Sequence, residues 1–429
     1  MDEYDAHVLI LGGSFTGIEL VRLLRRDRRG RALEIVVVDR QREHPYIPLG
    51  HELLTERLPF ERPDETLLRS DRFVEAHPPA RWVQGEIVGF DPGSHTVTLA
   101  DGRSLSGRFV VVALGSEVRA PASLPGGERM LAYKFGAQLE QAHDALVQLL
   151  KGEREGEPTH SDPDPRSGPA RRPEAEYGRS PGRVQTILVA GGGISGVEIA
   201  GELAHLAVAR PHGWRAPKVV LVHGGDRLLP GLTAKAGHKA EAALREQGVD
   251  VHLQTRLLAV DERSATIQGP AGERTIACDL SFWAAGLQPP AVIDALELPR
   301  TEDGWLRVGP TLLCFSGNLD EPEIFAAGDI ARVYGGAGRW PTMQRAIEGI
   351  FAAQTLAANI LALGRHPPGY PDEGVPPLRP HRLWTDFPHG VSLGGRSLIV
   401  YGRLVVSWAR FNVWFRRFLM RMYMRRYRA

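Results

Sequence analysis

Two glycine-rich turns, each set between an apolar run and a helix-forming stretch, constrain this chain more than any other feature. Gly12-Gly13-Ser14-Phe15-Thr16-Gly17 follows the apolar run at 7–12, and Gly191-Gly192-Gly193-Ile194-Ser195-Gly196 follows the run at 186–190. In such a turn the first glycine lets a strand bend sharply and the last lets helix and strand approach. The unpaired N–H groups at the helix start then face whatever anion lies in front of them. Further apolar runs at 34–39 and 218–223 supply a second parallel strand to each turn, with helices expected at 18–26 and 197–209 between them. Each half therefore reads as a βαβ unit, and a chain of 429 residues has room for two or three domains.

Composition removes several classes. Hydrophobic residues at 43% and charged residues at 24% describe a globular chain, excluding wholesale disorder and a polytopic membrane protein. With 52 basic against 51 acidic side chains there is no global field to grip nucleic acid. Cys278 and Cys314 are too few and too far apart for a disulfide framework, a thiolate zinc site or a redox pair, and are expected to pack in the core. The histidines show no metal-binding spacing, His381 and His389 being expected to line loops, so no metal site is expected. The acidic start Met1-Asp2-Glu3 lacks the apolar run of an export signal, which predicts a cytoplasmic protein. Residues 152–183 hold six prolines and no Val, Ile, Leu, Met, Phe, Trp or Cys, and read as a mobile surface insertion.

The residues around the turns carry the chemistry. Asp39, ending the second strand, can accept a hydrogen bond from a ribose hydroxyl, while Ser14 stands where a glycine is usual and can offer its hydroxyl to a phosphate. In the second unit His223 replaces that acidic residue and Arg227 follows, so a 2′-phosphate is not repelled and NADPH is as plausible as NADH. Runs ending Ala113-Leu114-Gly115 and Ala284-Ala285-Gly286 close the two units, and Ala326-Ala327-Gly328-Asp329 places a carboxylate where it can bind a polyol such as a ribityl chain. A helix is expected over 340–364. From 404 to 429 the spacing predicts a basic amphipathic helix, with Trp408, Phe411, Phe415, Leu419 and Met422 on one side and Arg410, Arg417, Arg421 and Arg428 on the other. Such a helix fits an anionic membrane surface, or else packs its stripe on the protein or on a second subunit in a homodimer.

This ordered set resembles the two-dinucleotide-binding-domain flavoproteins, and among them the type II NAD(P)H:quinone oxidoreductases and the mitochondrion-associated homologues of apoptosis-inducing factor. The resemblance implies an α/β fold of two Rossmann-like three-layer domains, the second inserted in the first. Residues 1–130 and 306–365 would hold FAD, 131–305 NADH or NADPH, and 366–429 would form a C-terminal amphipathic region facing a membrane or partner. It implies FAD on Gly12 to Gly17 with Asp39, Arg40, Pro48, Ile87, Ala113, Gly115, Gly328 and Asp329, and the nicotinamide dinucleotide on Gly191, Gly193 to Gly196, His223, Arg227, Ala285 and Gly286. The helix start at Thr342-Met343-Gln344 would approach the flavin. Gln344 and Glu348, where the family commonly has a second glutamine, would bear on the acceptor, and Glu198 matches a carboxylate able to pass protons to a quinone. The activity implied is hydride transfer from NAD(P)H to flavin and on to a quinone, on the inner face of the cell membrane. Two rivals are a reductase of a small electron-carrier protein and a flavin- or dinucleotide-binding sensor without turnover.

Overall fold

In a computed structural model the described residues are 4–57, 66–118, 120–134, 136–151, 184–314, 323–335, 344–365, 376–383, 388–407 and 409–427. The expected insertion at 152–183, together with Thr342 and Met343, lies outside them. Strand Ala6–Leu11 pairs in parallel with Ile35–Asp39 on one side and with Ser104–Val112 on the other. Strand Ala80–Gln84 extends this sheet beyond Ile35–Asp39, and Ile324–Ala326 returns late in the chain to pair with Ser104–Val112. The result is a seven-stranded sheet whose centre reads as continuous apolar runs, as strands covered on both faces must.

Helix Phe15–Arg26 lies on this sheet and packs against helix Ala346–Leu363. Thr16 sits at their crossing, where a Cβ on Gly349 would press on its hydroxyl. Helix Ala346–Leu363 alone among the described helices is long and apolar enough to cross a membrane. About 67% of it is nevertheless buried in the protein, which makes it the core helix of the first unit.

The second unit repeats the plan in four parallel strands ordered Asp250–His252, Lys218–Val222, Thr186–Ala190, Leu280–Trp283, with helix Ile194–His205 following the second glycine turn. Both glycine turns thus sit at the carboxyl ends of central parallel strands, where open α/β sheets bind their ligands.

The end of the chain departs from expectation. Residues 404–429 do not form one helix. Leu404–Val406 is the last strand of an antiparallel sheet with His389–Leu393 and Arg396–Tyr401, and the helix begins later, spanning Ala409–Met424. His389 opens that sheet rather than lining a loop. The sheet packs on helix Ile194–His205, and Gly201 makes room: a Cβ there would lie 2.8 Å from the Leu393 backbone.

Candidate active site

The two turns are built alike. Gly12 and Gly191 have φ of +109° and +118°, and a Cβ on either would strike the carbonyl of Ala113 or Ala284 on the adjacent strand. Gly17 and Gly196 face the carbonyls of Gly12 and Gly191, so a side chain at either would force helix from strand. Gly193, by contrast, has nothing within 4 Å of where its Cβ would be, and neither have Gly115 and Gly286. These open positions line the two mouths as a backbone-walled cradle should.

Asp39 and His223 do equivalent work. The Gly13 N–H donates to Asp39 Oδ2 at 2.8 Å, and the Gly192 N–H donates to His223 Nδ1 at 3.2 Å. Burial alone would raise the Asp39 carboxyl, but His44 at 3.1 Å and the Gln41 and Gly13 N–H groups hold it below its ordinary value. His223 is likewise shifted below its ordinary value, in its case chiefly by burial, so it stays neutral. With Nδ1 accepting, its proton is on Nε2, which has no hydrogen-bond partner among the described residues. In this arrangement the Arg227 guanidinium donates to the carbonyls of Leu229, Pro230 and Leu232.

Around the first turn, Asp329 accepts from Ser116 Oγ at 2.7 Å and Lys134 Nζ at 2.8 Å; burial works against its charge, yet the Lys134 ammonium keeps the carboxyl below its ordinary value. Ser116 and Lys134 carried no sequence signal. Gln344 adopts a positive φ of 41° and its Nε2 donates to the Asp329 carbonyl at 3.4 Å. Glu348 is buried against His381, with His381 Nε2 to Glu348 Oε1 at 2.5 Å, so His381, on the irregular segment 376–383 as expected, ties that segment to the core helix. Ile87 is buried at the start of an edge hairpin and Arg40 lies 3.9 Å from Glu117. Phe15 packs against Tyr46 and Tyr423, with ring centroids 5.7 Å and 6.4 Å away, so the C-terminal helix covers the first turn.

Sequence reasoning missed a buried charge cluster that joins the second turn to the C-terminal helix. Glu198 and Glu202 lie one turn apart on the same face of helix Ile194–His205. Ser392 binds both, its N–H donating to Glu198 Oε1 and its hydroxyl to Glu202 Oε1, each at 3.0 Å. Arg57 pairs with Glu202 at 2.9 Å, while Arg416 and Arg417 both clamp Glu52. His51 sits among them, fully buried, its Nδ1 3.6 Å from Glu198 Oε2 and its Nε2 3.9 Å from Glu52 and Glu202, so neither nitrogen makes a hydrogen bond among the described residues.

The cluster has a definite protonation pattern. Burial pushes the Glu198 and Glu202 carboxyls up to about 7 against the pull of the arginines. Burial also disfavours charge on Glu52, but Arg416 and its other cationic neighbours bring that carboxyl down to about 2. His51 is driven well below its ordinary value, first by burial and then by Arg416. Ligand atoms of His51, Glu52 and Glu202 lie within 4.8 Å of one another, a spacing a metal ion could use, but the guanidinium groups of Arg57, Arg416 and Arg417 already occupy the oxygens of Glu52 and Glu202. What the geometry provides is two carboxyls that hold protons near neutral pH beside a nucleotide-type turn. The cysteines take no part: Cys278 and Cys314 are buried, their thiols pushed up to about 11 and about 12 by burial.

The profile of the pyridine nucleotide-disulphide oxidoreductases matches residues 6–349. The chain is 27% identical over 428 residues to demethylphylloquinone reductase NdbB of Synechocystis sp., covering 96% of this chain and 94% of that protein. To the type II NADH:quinone oxidoreductase Ndh of Mycobacterium tuberculosis it is 26% identical over 389 residues, covering 86% and 76%. Its fold superposes on that of NDH2 from Plasmodium falciparum in complex with NADH with a TM-score of 0.71 at 13% identity, covering 97% of this chain and 98% of that one.

Proposed function

The chain belongs to the pyridine nucleotide-disulphide oxidoreductase family, and on that premise we propose that it oxidises NADH or NADPH and reduces a quinone, with FAD as the carrier between them. Residues 1–130 and 306–365 form the FAD unit in this reading, and 131–305 the nicotinamide unit. The chain's own residues fit both groups. Gly13, Ser14 and the start of helix Phe15–Arg26 would hold the FAD pyrophosphate, Asp39 the adenosine ribose, and Asp329 with Ser116 and Lys134 the polyol chain. Gly193 and the following N–H groups would hold the nicotinamide dinucleotide, with the unpartnered His223 Nε2–H facing its ribose. Bound FAD supplies a two-electron acceptor that takes hydride from the nicotinamide and gives electrons to the quinone.

The observation that carries the reading is Glu198. Reducing a quinone to a quinol takes two electrons and two protons, whereas the hydride brings two electrons and one proton. The second proton must come from the protein or from water. Glu198 keeps its proton up to about pH 7, beside the second turn and linked through Ser392 to Glu202, so it can donate at neutral pH and be refilled. The relatives named as an NADH:quinone oxidoreductase and a demethylphylloquinone reductase, and a chain whose two thiols lie buried apart, support a quinone over a disulfide as acceptor.

The acceptor's solubility in lipid suggests where the reaction takes place. Helix Ala409–Met424 exposes Phe411, Trp414, Phe418, Leu419 and Met422, while Arg416 on its other face is buried against Glu52. The outward row thus includes Trp414 and Phe418, and Arg417 faces inward rather than toward solvent. An uncovered aromatic row anchored from behind by buried ion pairs suits a helix lying in a membrane interface. This supports a protein held peripherally on a membrane, on its inner face in the cytoplasmic reading.

The test is anaerobic. NADH or NADPH should bleach the flavin absorbance of the purified protein and a quinone should restore it. Glu198→Gln should slow the quinone step at least 100-fold, the usual size of a general-acid contribution, while leaving reduction of ferricyanide, which takes no proton, at the parent rate. A protein that takes up no flavin when incubated with FAD sinks the proposal.

A further inference from the structure

Outside the site, positive charge gathers in one cleft of the first unit. The last turns of helix Phe15–Arg26 contribute Arg22, Arg25 and Arg26, and the following turn contributes Arg31. Phe73 and His77 form the opposite wall, and Arg426 closes it from the short helical turn Arg425–Tyr427 at the end of the chain.

These arginines are poorly compensated. Arg22 alone has a carboxylate, Glu19, which Tyr427 also binds through its hydroxyl. Arg25 is buried and spends its donors on the carbonyls of His77, Gly30, Arg31 and Leu33, which satisfy its hydrogen bonds without cancelling its charge. Arg426 lies over the Tyr423 ring, 5.6 Å from its centroid. Arg26 and Arg31 are exposed and have no hydrogen-bond or ion-pair partner among the described residues. Complementing the helix dipole accounts for arginines in the last turn of helix Phe15–Arg26, but not for Arg31 and Arg426 converging from two other elements. Phosphate oxygens match forked guanidinium donors, and several such forks around one cleft are an anion site.

Position narrows the anion. Arg426 follows Met422, the end of the exposed apolar row, by four residues, or about 6 Å along a helix. A helix lying in the interface keeps its flanking residues at the level of the headgroup phosphates. We propose that this cleft binds the phosphate of an anionic phospholipid headgroup and so sets how the protein sits on its membrane. The inference rests on the membrane part of the proposed function.

The experiment uses the full-length flavin-loaded protein and vesicles of phosphatidylcholine alone or mixed with phosphatidylglycerol. The variant Arg26→Gln/Arg31→Gln alters two exposed side chains remote from both nucleotide turns. The control Arg210→Gln/Lys235→Gln removes equal charge elsewhere. Loss of the two cleft arginines should weaken binding to the mixed vesicles about 30-fold, and the control less than about 3-fold. Binding to phosphatidylcholine alone and turnover with a water-soluble quinone should be unchanged in both variants. Equal losses in cleft variant and control would mean diffuse attraction, and an unaffected cleft variant would mean no site; either overturns the proposal. A titration with inorganic phosphate separates the sources. Phosphate bound by the parent, lost in the cleft variant and accompanied by no preference for anionic vesicles overturns the lipid assignment in favour of a soluble anion. If no vesicle of either kind binds, the membrane reading itself has failed.

Discussion

Replacing Glu198 by glutamine isolates the cost of the buried acid. The substitution preserves shape and leaves an oxygen to accept from the Ser392 N–H, as Glu198 Oε1 does at 3.0 Å. It also sets an amide beside His51 Nδ1, which lies 3.6 Å from the present carboxylate oxygen and has no hydrogen bond among the described residues. Only the ability to ionise is removed. Burial has moved the carboxyl from 4.5 to about 7, so the folded state keeps a proton that the unfolded chain releases. Below pH 4.5 both states are protonated and the shift has no effect on stability. Between 4.5 and about 7 the unfolded state binds fewer protons, so stability falls as pH rises, and above 7 the loss is constant. At about 1.4 kcal/mol per unit the full penalty is about 3 kcal/mol. Urea unfolding of parent and variant at a series of pH values should give coincident stabilities near pH 4.5 and a variant ahead by about 3 kcal/mol at pH 8. A gap that stays flat across this range would show that Glu198 holds no proton in the folded protein, and its role as donor would fall with it.

The same reasoning gives opposite signs elsewhere. Glu52→Gln should destabilise by about 3–5 kcal/mol at neutral pH, because Arg416 and Arg417 lose the carboxylate that both clamp; adding Arg416→Met should recover part of the loss, which thermal unfolding of the single and double variants would reveal. Gly193→Ala should fold normally, with nothing within 4 Å of the added methyl, yet bind NADH at least tenfold more weakly by titration, whereas Gly196→Ala should lose the fold of the turn against the Gly191 carbonyl, detected as lower stability. His223→Asp keeps an acceptor for the Gly192 N–H while adding a negative charge, so it should weaken NADPH binding at least tenfold and spare NADH; equal losses for both nucleotides would remove His223 from the ribose.

The parts of this protein that could be read from its sequence are those where the backbone itself needs a particular residue. Gly12, Gly17, Gly191 and Gly196 are required wherever a strand turns into a helix packed on it, so their spacing alone located both strand-to-helix turns. The spacing of Phe411, Phe415 and Leu419 continues backward across Leu404, Val405 and Val406 as if one helix ran through them, whereas those three form a strand. The signal against this was local: Gly394-Gly395 and Gly402 mark two tight turns, with φ of +70° at Gly394 and +54° at Gly402, and they close a three-stranded meander. The charge cluster left no such trace. Glu198 and Glu202 share a helical face, but Glu52, Ser392 and Arg416 come from segments far apart in the chain, and His51 stands in no motif. Even the charge pattern of the last helix misled, since Arg417 lies on its polar side and is nevertheless drawn inward by Glu52. A carboxyl's proton affinity belongs to its enclosure. The Gly196-Val197-Glu198 triplet would carry an ordinary acid on an exposed helix, and it becomes a proton holder here only because the C-terminal sheet covers it and supplies a single N–H in place of water.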